Sequence, residues 1–169
     1  MRSSTMAGAP ADEPAIPPDL THLFTMRALL GARHDGGDGP LGRRVYNAAS
    51  GGEFAGPRLR GTLIAGSADW MLIRKDGVMV IDARTMLHTD DGATIHMTYG
   101  GRAVFPADML SDLRNPTRRH LLDPGRYYFR TTPLFETGTP AYAWLNDIVC
   151  VANGRLTEQG LEYQVFQVG

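Results

Sequence analysis

The chain reads as all-β: a single closed antiparallel β-barrel of about eight strands, with a polar pocket inside it. Three observations predict this. Between Gly51 and Gly92, turn residues punctuate short segments at nearly regular intervals, as in GGEFAGPRLRG (Gly51–Gly61), RKDG (Arg74–Gly77) and TDDG (Thr89–Gly92). The segments between them alternate with the two-residue period of a strand, and place charged residues where an ordinary core would want aliphatic ones. No internal repeat, coiled-coil period or apolar run of spanning length competes with that pattern. An antiparallel set of this size removes its edges best by closing on itself.

In chain order, Met1–Pro18 is rich in Ala, Pro and Ser and lacks the apolar core of a signal peptide, so it reads as a flexible lead-in to a barrel domain over residues 19–169. Leu20–Leu30 fits a helical face at Leu20, Leu23, Phe24 and Leu30, and equally fits strand alternation; the β character of the rest selects a strand. Gly31–Gly42 carries five glycines and a proline and is expected to be a loop. Strands follow at Arg44–Ala49, Gly61–Ala65, Asp69–Lys75, Val78–Thr89 and Ala93–Tyr99, each bounded by Gly, Pro or Asp. A polar insertion, Gly101–Arg126, then breaks the rhythm. Within it Asp108–Arg114 is expected as a short helix ended at Asn115–Pro116. Tyr127–Thr132, Trp144–Ala152 and Leu161–Val168 complete the set.

The bulk numbers bound the function. A chain of 169 residues is one domain, able to bury about 70% of the surface its unfolded form exposes. Seventeen basic against eighteen acidic residues leave a formal charge of −1, which points to neither nucleic acid nor an anionic membrane as partner. The single cysteine, Cys150, sits in the apolar run IVCVA. It cannot form an internal disulfide and reads as a buried, inert thiol in a cytoplasmic protein.

Turn chemistry predicts a register. Asp76–Gly77 suits a two-residue hairpin, which sets Lys75 opposite Val78, Asp69 opposite Arg84 and Met71 opposite Asp82. Asp69, Asp82 and Arg84 then share one face. Arg84 would hold one carboxylate ionised while the other serves as general acid or base. The same residues also describe a cross-strand ion pair on a solvated face, worth under about 1 kcal/mol. The TDDG turn places Asp90 at a hairpin tip, where it would face a ligand only if the tip lies at the barrel mouth. His88 and His96 flank that turn, but no third or fourth ligand accompanies them, so no metal is expected. The stretch YYFRTTPLFETGTPAYAWLN (Tyr127–Asn146) brings Arg130, Glu136, Tyr142, Trp144 and Asn146 together. They suit a small-molecule pocket wall and, equally, a braced corner. No GxSxG, P-loop or GxGxxG is present.

In order along the chain, GGEFAGPRLRG, ADW (Ala68–Trp70), DG (Asp76–Gly77), DAR (Asp82–Arg84), TDDG, YFR (Tyr128–Arg130), FET (Phe135–Thr137) and YAWLN (Tyr142–Asn146) resemble the family catalogued as domain of unknown function 3237. The resemblance covers roughly Leu20–Val168. It implies a closed antiparallel barrel, similar in form to allene oxide cyclase and the lipocalin-like barrels, whose lumen takes a small, largely apolar molecule. Related barrels run cofactor-free cyclisation, isomerisation or lyase chemistry. The matching motif positions are Asp69, Trp70, Asp82, Arg84, Asp90, Asp91, Arg130, Glu136, Tyr142, Trp144 and Asn146. The insertion Ala103–Gly125 departs from the pattern and is expected to act as a lid or mouth loop. The resemblance and the residues together imply a cofactor-independent isomerase, cyclase or lyase/hydratase with no metal. Asp69 or Asp82 would move the proton, and Arg84 and Arg130 would stabilise negative charge. Trp70, Tyr142 and Trp144 would shape the pocket. A barrel that merely binds or carries a hydrophobic metabolite is the alternative, and a homodimer is compatible with either.

Overall fold

The computed structural model describes residues 19–169; the expected lead-in, residues 1–18, lies outside them. Nine strands form one antiparallel sheet: β1 (Leu20–Gly39), β2 (Gly42–Ala55), β3 (Arg60–Leu63), β4 (Ala68–Ile73), β5 (Met79–Thr89), β6 (Thr94–Val104), β7 (Tyr128–Glu136), β8 (Cys150–Leu156) and β9 (Gly160–Val168). The pairings run β1–β9–β8–β7–β6–β5. From β5 they pass through β3 and β4 to β2, which pairs again with β1. The result is a barrel-like ring. The sequence marks nine segments for a ring of about eight strands, and nine strands are found; β3 and β4 divide one position in the ring. The C-terminal half of β2 pairs with β3 and its N-terminal half with β4.

Two expected element boundaries are corrected. Gly31–Gly39 is not a loop but the outer half of β1, which pairs with β2 from Arg33↔Asn47 to Gly39↔Gly42. Its glycines are tolerated because β9 has already left the other edge at Leu29↔Gly160, so no core packing is asked of them. Trp144–Asp147 is not strand. Pro140–Asp147 coils as 3₁₀ helix, with Pro140 supplying the fixed φ of a helix start, and β8 begins only at Cys150. The short helix in the insertion is present: a 3₁₀ turn (Ala107–Met109) leads into α1 (Leu110–Arg114), which ends at Asn115, the residue before Pro116.

Alternation along the strands fills the ring. β5 buries Ile81, Ala83, Thr85, Leu87 and Thr89 while Asp82, Arg84, Met86 and His88 face out. Phe24, Met26, Leu87, Ile95, Met97 and Val165 are fully buried, each such side chain contributing about 1.5–3 kcal/mol. The insertion buries Met109 and Leu122 in this core, and the 3₁₀ segment buries Leu145. Cys150 is buried and without a disulfide partner, and burial pushes its thiol up to about 11. Its burial is what its apolar surroundings in the sequence imply.

A row of charges braces the outside of the ring. Glu53, Arg27, Glu162 and Arg155 stand in one row across β2, β1, β9 and β8. Their successive ion-pair distances are 3.1, 2.9 and 2.7 Å. The two guanidinium groups cover Glu162, leaving it 3% exposed on an otherwise solvated face. β9 also approaches β1 closely: a Cβ on Gly160 would lie 2.0 Å from the Ala28 carbonyl oxygen.

Candidate functional site

The site is decided by the hairpin between β4 and β5. Its turn has three residues, not two. The Arg74 amide donates to the Val78 carbonyl (2.9 Å), the Gly77 amide donates back to Arg74 (3.0 Å), and Gly77 takes φ +86°. Asp76 stabilises this shape by accepting the Val78 amide and the Arg74 guanidinium. The third turn residue moves the register by one, to Ala68↔Arg84 and Asp69↔Ala83 instead of Asp69 opposite Arg84. A one-residue slip exchanges faces. Asp69 and Met71 therefore share the inner face with Ile81 and Ala83, whereas Trp70 shares the outer face with Asp82 and Arg84. The expected cluster of Asp69, Asp82 and Arg84 is divided by the wall of the ring.

Inside the wall, Asp69 is half-buried and has no cationic partner among the described residues. The β4–β5 ladder opens between Asp69↔Ala83 and Leu72↔Val80, and there the Asp82 amide donates to Asp69 Oδ1 at 2.9 Å. Burial pushes the Asp69 carboxyl up from 3.8 to about 6; the Asp82 charge adds to the rise, while the Asp82 amide and the Asn47 side chain oppose it. Asn47 in turn accepts from Arg33 at 3.3 Å, so a polar line runs from an exposed guanidinium to the carboxyl. Deeper in, Tyr99 is flanked by the hydroxyls of Tyr163 and Thr85. Burial, and then the Asp69 charge, push Tyr99 up to about 12. Burial raises Tyr163 as well, with Tyr99 and Asp69 contributing. The two rings meet edge to face with centroids 5.5 Å apart. Thr131 borders the same small interior gap with Met26 and Met97, and its buried hydroxyl has no partner. That gap has no room for a water molecule. Tyr99, Tyr163, Thr85 and Thr131 were missed in the sequence. Their signal is a hydroxyl on the buried parity of a strand, which must find a partner.

Outside the wall, Trp70, Asp82 and Arg84 border a cleft of about 540 Å³ together with His34, Tyr46 and Arg44. Asp82 and Arg84 are both more than half exposed and stand 3.6 Å apart. The Arg84 guanidinium lies 5.7 Å from the Trp70 ring centre.

The other expected site residues go to two further places. Arg130 and Glu136 are exposed on the outer face of β7, opposite Arg102 and His96. Arg130 covers Tyr128 and donates to the Phe129 carbonyl at 2.9 Å. Tyr142, Trp144 and Asn146 belong to the 3₁₀ segment. Asn146 accepts the Thr137 amide (2.9 Å) and donates to the Thr137 carbonyl (3.0 Å). The Tyr142 hydroxyl reaches both Asp91 oxygens at 3.0 Å. The Thr89 hydroxyl and then Tyr142 hold the Asp91 carboxyl below its ordinary range. Trp144 lies 3.4 Å beneath the Arg58 guanidinium. These contacts describe a braced corner, held by Asn146. Asp90 is exposed at the β5–β6 tip. That turn also has three residues, with Gly92 at φ +91°, so His88 and His96 share the outer face. Among the described residues no group of three or more His, Cys, Asp or Glu is placed to hold a metal ion, and no helix is long and apolar enough to cross a membrane.

Known proteins share both the sequence pattern and the ring. The family model described as protein of unknown function DUF3237 matches residues 18–168. A UPF0311 protein of Rhodopseudomonas palustris, RPA1785, is 31% identical over 150 residues, covering 89% of this chain and 96% of that protein. The crystal structure of a beta-barrel like protein from Acinetobacter baumannii superposes with a TM-score of 0.78 at 31% identity, covering 94% of this chain and all of the other. A protein of Penicillium herquei described as hydroalkoxylation enzyme phnH is 27% identical over 135 residues, covering 78% of this chain and 71% of that protein.

Proposed function

The chain belongs to the DUF3237 family, and from that premise we propose that it is an acid–base enzyme that adds a hydroxyl group across a carbon–carbon double bond, or reverses that addition, on a small, largely apolar molecule. The observation that carries this reading is Asp69: a half-buried carboxyl without a counter-cation, raised to about 6. A proton donor and acceptor works best with a pKa near the operating pH, where both forms are populated. The likeness to a hydroalkoxylation enzyme supports the same class.

The step is balanced without any redox partner. The Asp69 carboxylic acid gives its proton to one alkene carbon while the substrate hydroxyl oxygen bonds to the other. The hydroxyl proton then returns to the Asp69 carboxylate, and no net charge or electron is left over. The Thr131 hydroxyl supplies a free hydrogen-bonding group for a substrate oxygen, and Tyr99 and Tyr163 line the same gap. Binding there requires Met26 and Met97 to move, which unbranched thioether side chains do readily. A carrier of a hydrophobic metabolite has no use for a raised carboxyl, and this favours the enzyme over the carrier.

The test is a panel of alkenyl phenols, alkenyl alcohols and their cyclic ethers, incubated in D₂O and followed by mass spectrometry. Wild type is expected to convert a member with one deuterium on carbon. Asp69→Asn loses about 10²–10⁴-fold in rate, and Asp82→Asn, altered on the outer face, keeps it. Conversion by Asp69→Asn at the wild-type rate would remove Asp69 from the chemistry.

A further inference from the structure

The outer cleft on β4 meets the Asp69 site only at Asp82, whose amide bonds Asp69 while its side chain borders the cleft. His34, Tyr46 and Trp70 are register neighbours across β1, β2 and β4, forming one aromatic row on the outer face. Tyr46 meets Trp70 edge to face at 5.3 Å, and His34 lies 5.9 Å from Tyr46. Trp70 keeps 42% of its surface exposed, unusual for so large an apolar ring. The cleft volume of about 540 Å³ lies within the range of small-molecule sites, about 300–1,000 Å³.

Charge selects the ligand. Arg44 stands two residues from Tyr46 along β2, and Arg84 two residues from Asp82 along β5, on opposite sides of the aromatic row. Along the strand direction, at about 3.3 Å per residue, the backbone positions of the two cations lie roughly 13 Å apart, with β4 between their strands. Arg44 donates to the Trp70 carbonyl at 3.1 Å and has no carboxylate partner among the described residues. Arg84 has one loose carboxylate contact, Asp82 at 3.6 Å, and its guanidinium already lies 5.7 Å from the Trp70 ring centre, beside the proposed ring site. The two acidic residues of the cleft differ: Asp35 is already taken by Arg43 at 2.7 Å, whereas Asp82 opposes Arg84. The unspent capacity is therefore cationic, in a planar donor geometry that matches a carboxylate.

We propose that this cleft binds a planar aromatic carboxylate of one or two rings. The ring lies against Trp70 and Tyr46, and the carboxylate is held by Arg84 or Arg44. The site is separate from Asp69, since β4 turns Trp70 outward and Asp69 inward.

The test uses Trp144→Phe, which leaves Trp70 as the sole tryptophan of the two in the chain, and follows its fluorescence on titration with 4-nitrobenzoate and with the neutral isostere 4-nitrobenzamide. Saturable quenching by the carboxylate is expected, about tenfold weaker for the amide and about tenfold weaker after Arg84→Gln or Arg44→Gln. Calorimetry on otherwise wild-type protein gives the same order. Asp69→Asn binds unchanged, so failure of the catalytic reading leaves this one standing, and the reverse. Linear quenching, equal for both probes, overturns the proposal. So does a shift of Trp70 emission with protein concentration that 4-nitrobenzoate does not compete with, which would assign the cleft to a second copy of the chain.

Discussion

Replacing Asp69 by Asn separates stability from activity in a way that depends on pH. The carboxyl rises from 3.8 to about 6 on folding, and at about 1.4 kcal/mol per pH unit this amounts to about 3 kcal/mol. The folded state binds the proton more tightly than the unfolded chain. Between pH 3.8 and about 6, the unfolded state has already lost that proton while the folded state keeps it, so stability falls as pH rises. Above about 6 the loss is complete, and the charged carboxylate destabilises the fold by the full amount. The substituted asparagine carries no charge and keeps an oxygen for the Asp82 amide; its NH₂ group meets Asn47 less well, at a cost of about 1 kcal/mol. The variant is therefore expected to be about 2 kcal/mol more stable than wild type at pH 8. Near pH 4 it is expected to be slightly less stable, while under the proposed acid–base role its rate is expected to be about 10²–10⁴-fold lower. Urea unfolding of both proteins from pH 4 to 8 measures the difference directly. Carboxylates held low by their partners, such as Asp91 and Asp112, lose stability as pH falls and contribute equally to both proteins, so they cancel. A stability difference that stays constant across this range would refute the reasoning.

Two further perturbations test the framework around the site. Glu162→Gln leaves Arg27 and Arg155 facing a neutral amide in place of a covered carboxylate. It is expected to cost about 2 kcal/mol in chemical denaturation, and Arg27→Met, which removes one of the two cations, should cost less. Gly160→Ala drives a Cβ to 2.0 Å from the Ala28 carbonyl, so β1 and β9 must separate. A loss of about 1–3 kcal/mol is expected, with faster amide exchange in Leu29 and Leu161 than in β5 and β6.

The strand content was legible because it is written locally. Alternation in VIDARTMLHT and IHMTYG, with turn residues between them, marks β5 and β6 without any knowledge of what they pack against. The Asn115–Pro116 stop ended α1 for an equally local reason. The errors arose where a local pattern had two outcomes. Asp76–Gly77 suits a two-residue and a three-residue turn alike, and the choice of the longer one moved Asp69 from the Arg84 side of the sheet to the Tyr99 side. Gly31–Gly39 looked like loop because its glycines argue against a packed strand, yet an edge arm paired only with β2 asks for no packing. Pro140–Asp147 presents aromatics at intervals that fit a strand, and the reciprocal bonds of Asn146 to Thr137 hold it as a 3₁₀ turn instead.

By itself, then, the sequence determined the all-β class, the family, and the presence of ionisable and aromatic residues on β4, β5 and β7, since each depends on residue type and short-range spacing. Only the tertiary structure decided which of them meet. Asp69, Tyr99 and Tyr163 come from β4, β6 and β9, and their place on one inner face depends on the pairing of these strands in the ring and on a register set by one extra turn residue. The raised Asp69 carboxyl is likewise a property of enclosure. Removing water from around a charge requires walls contributed by several strands at once, and no stretch of sequence carries that by itself.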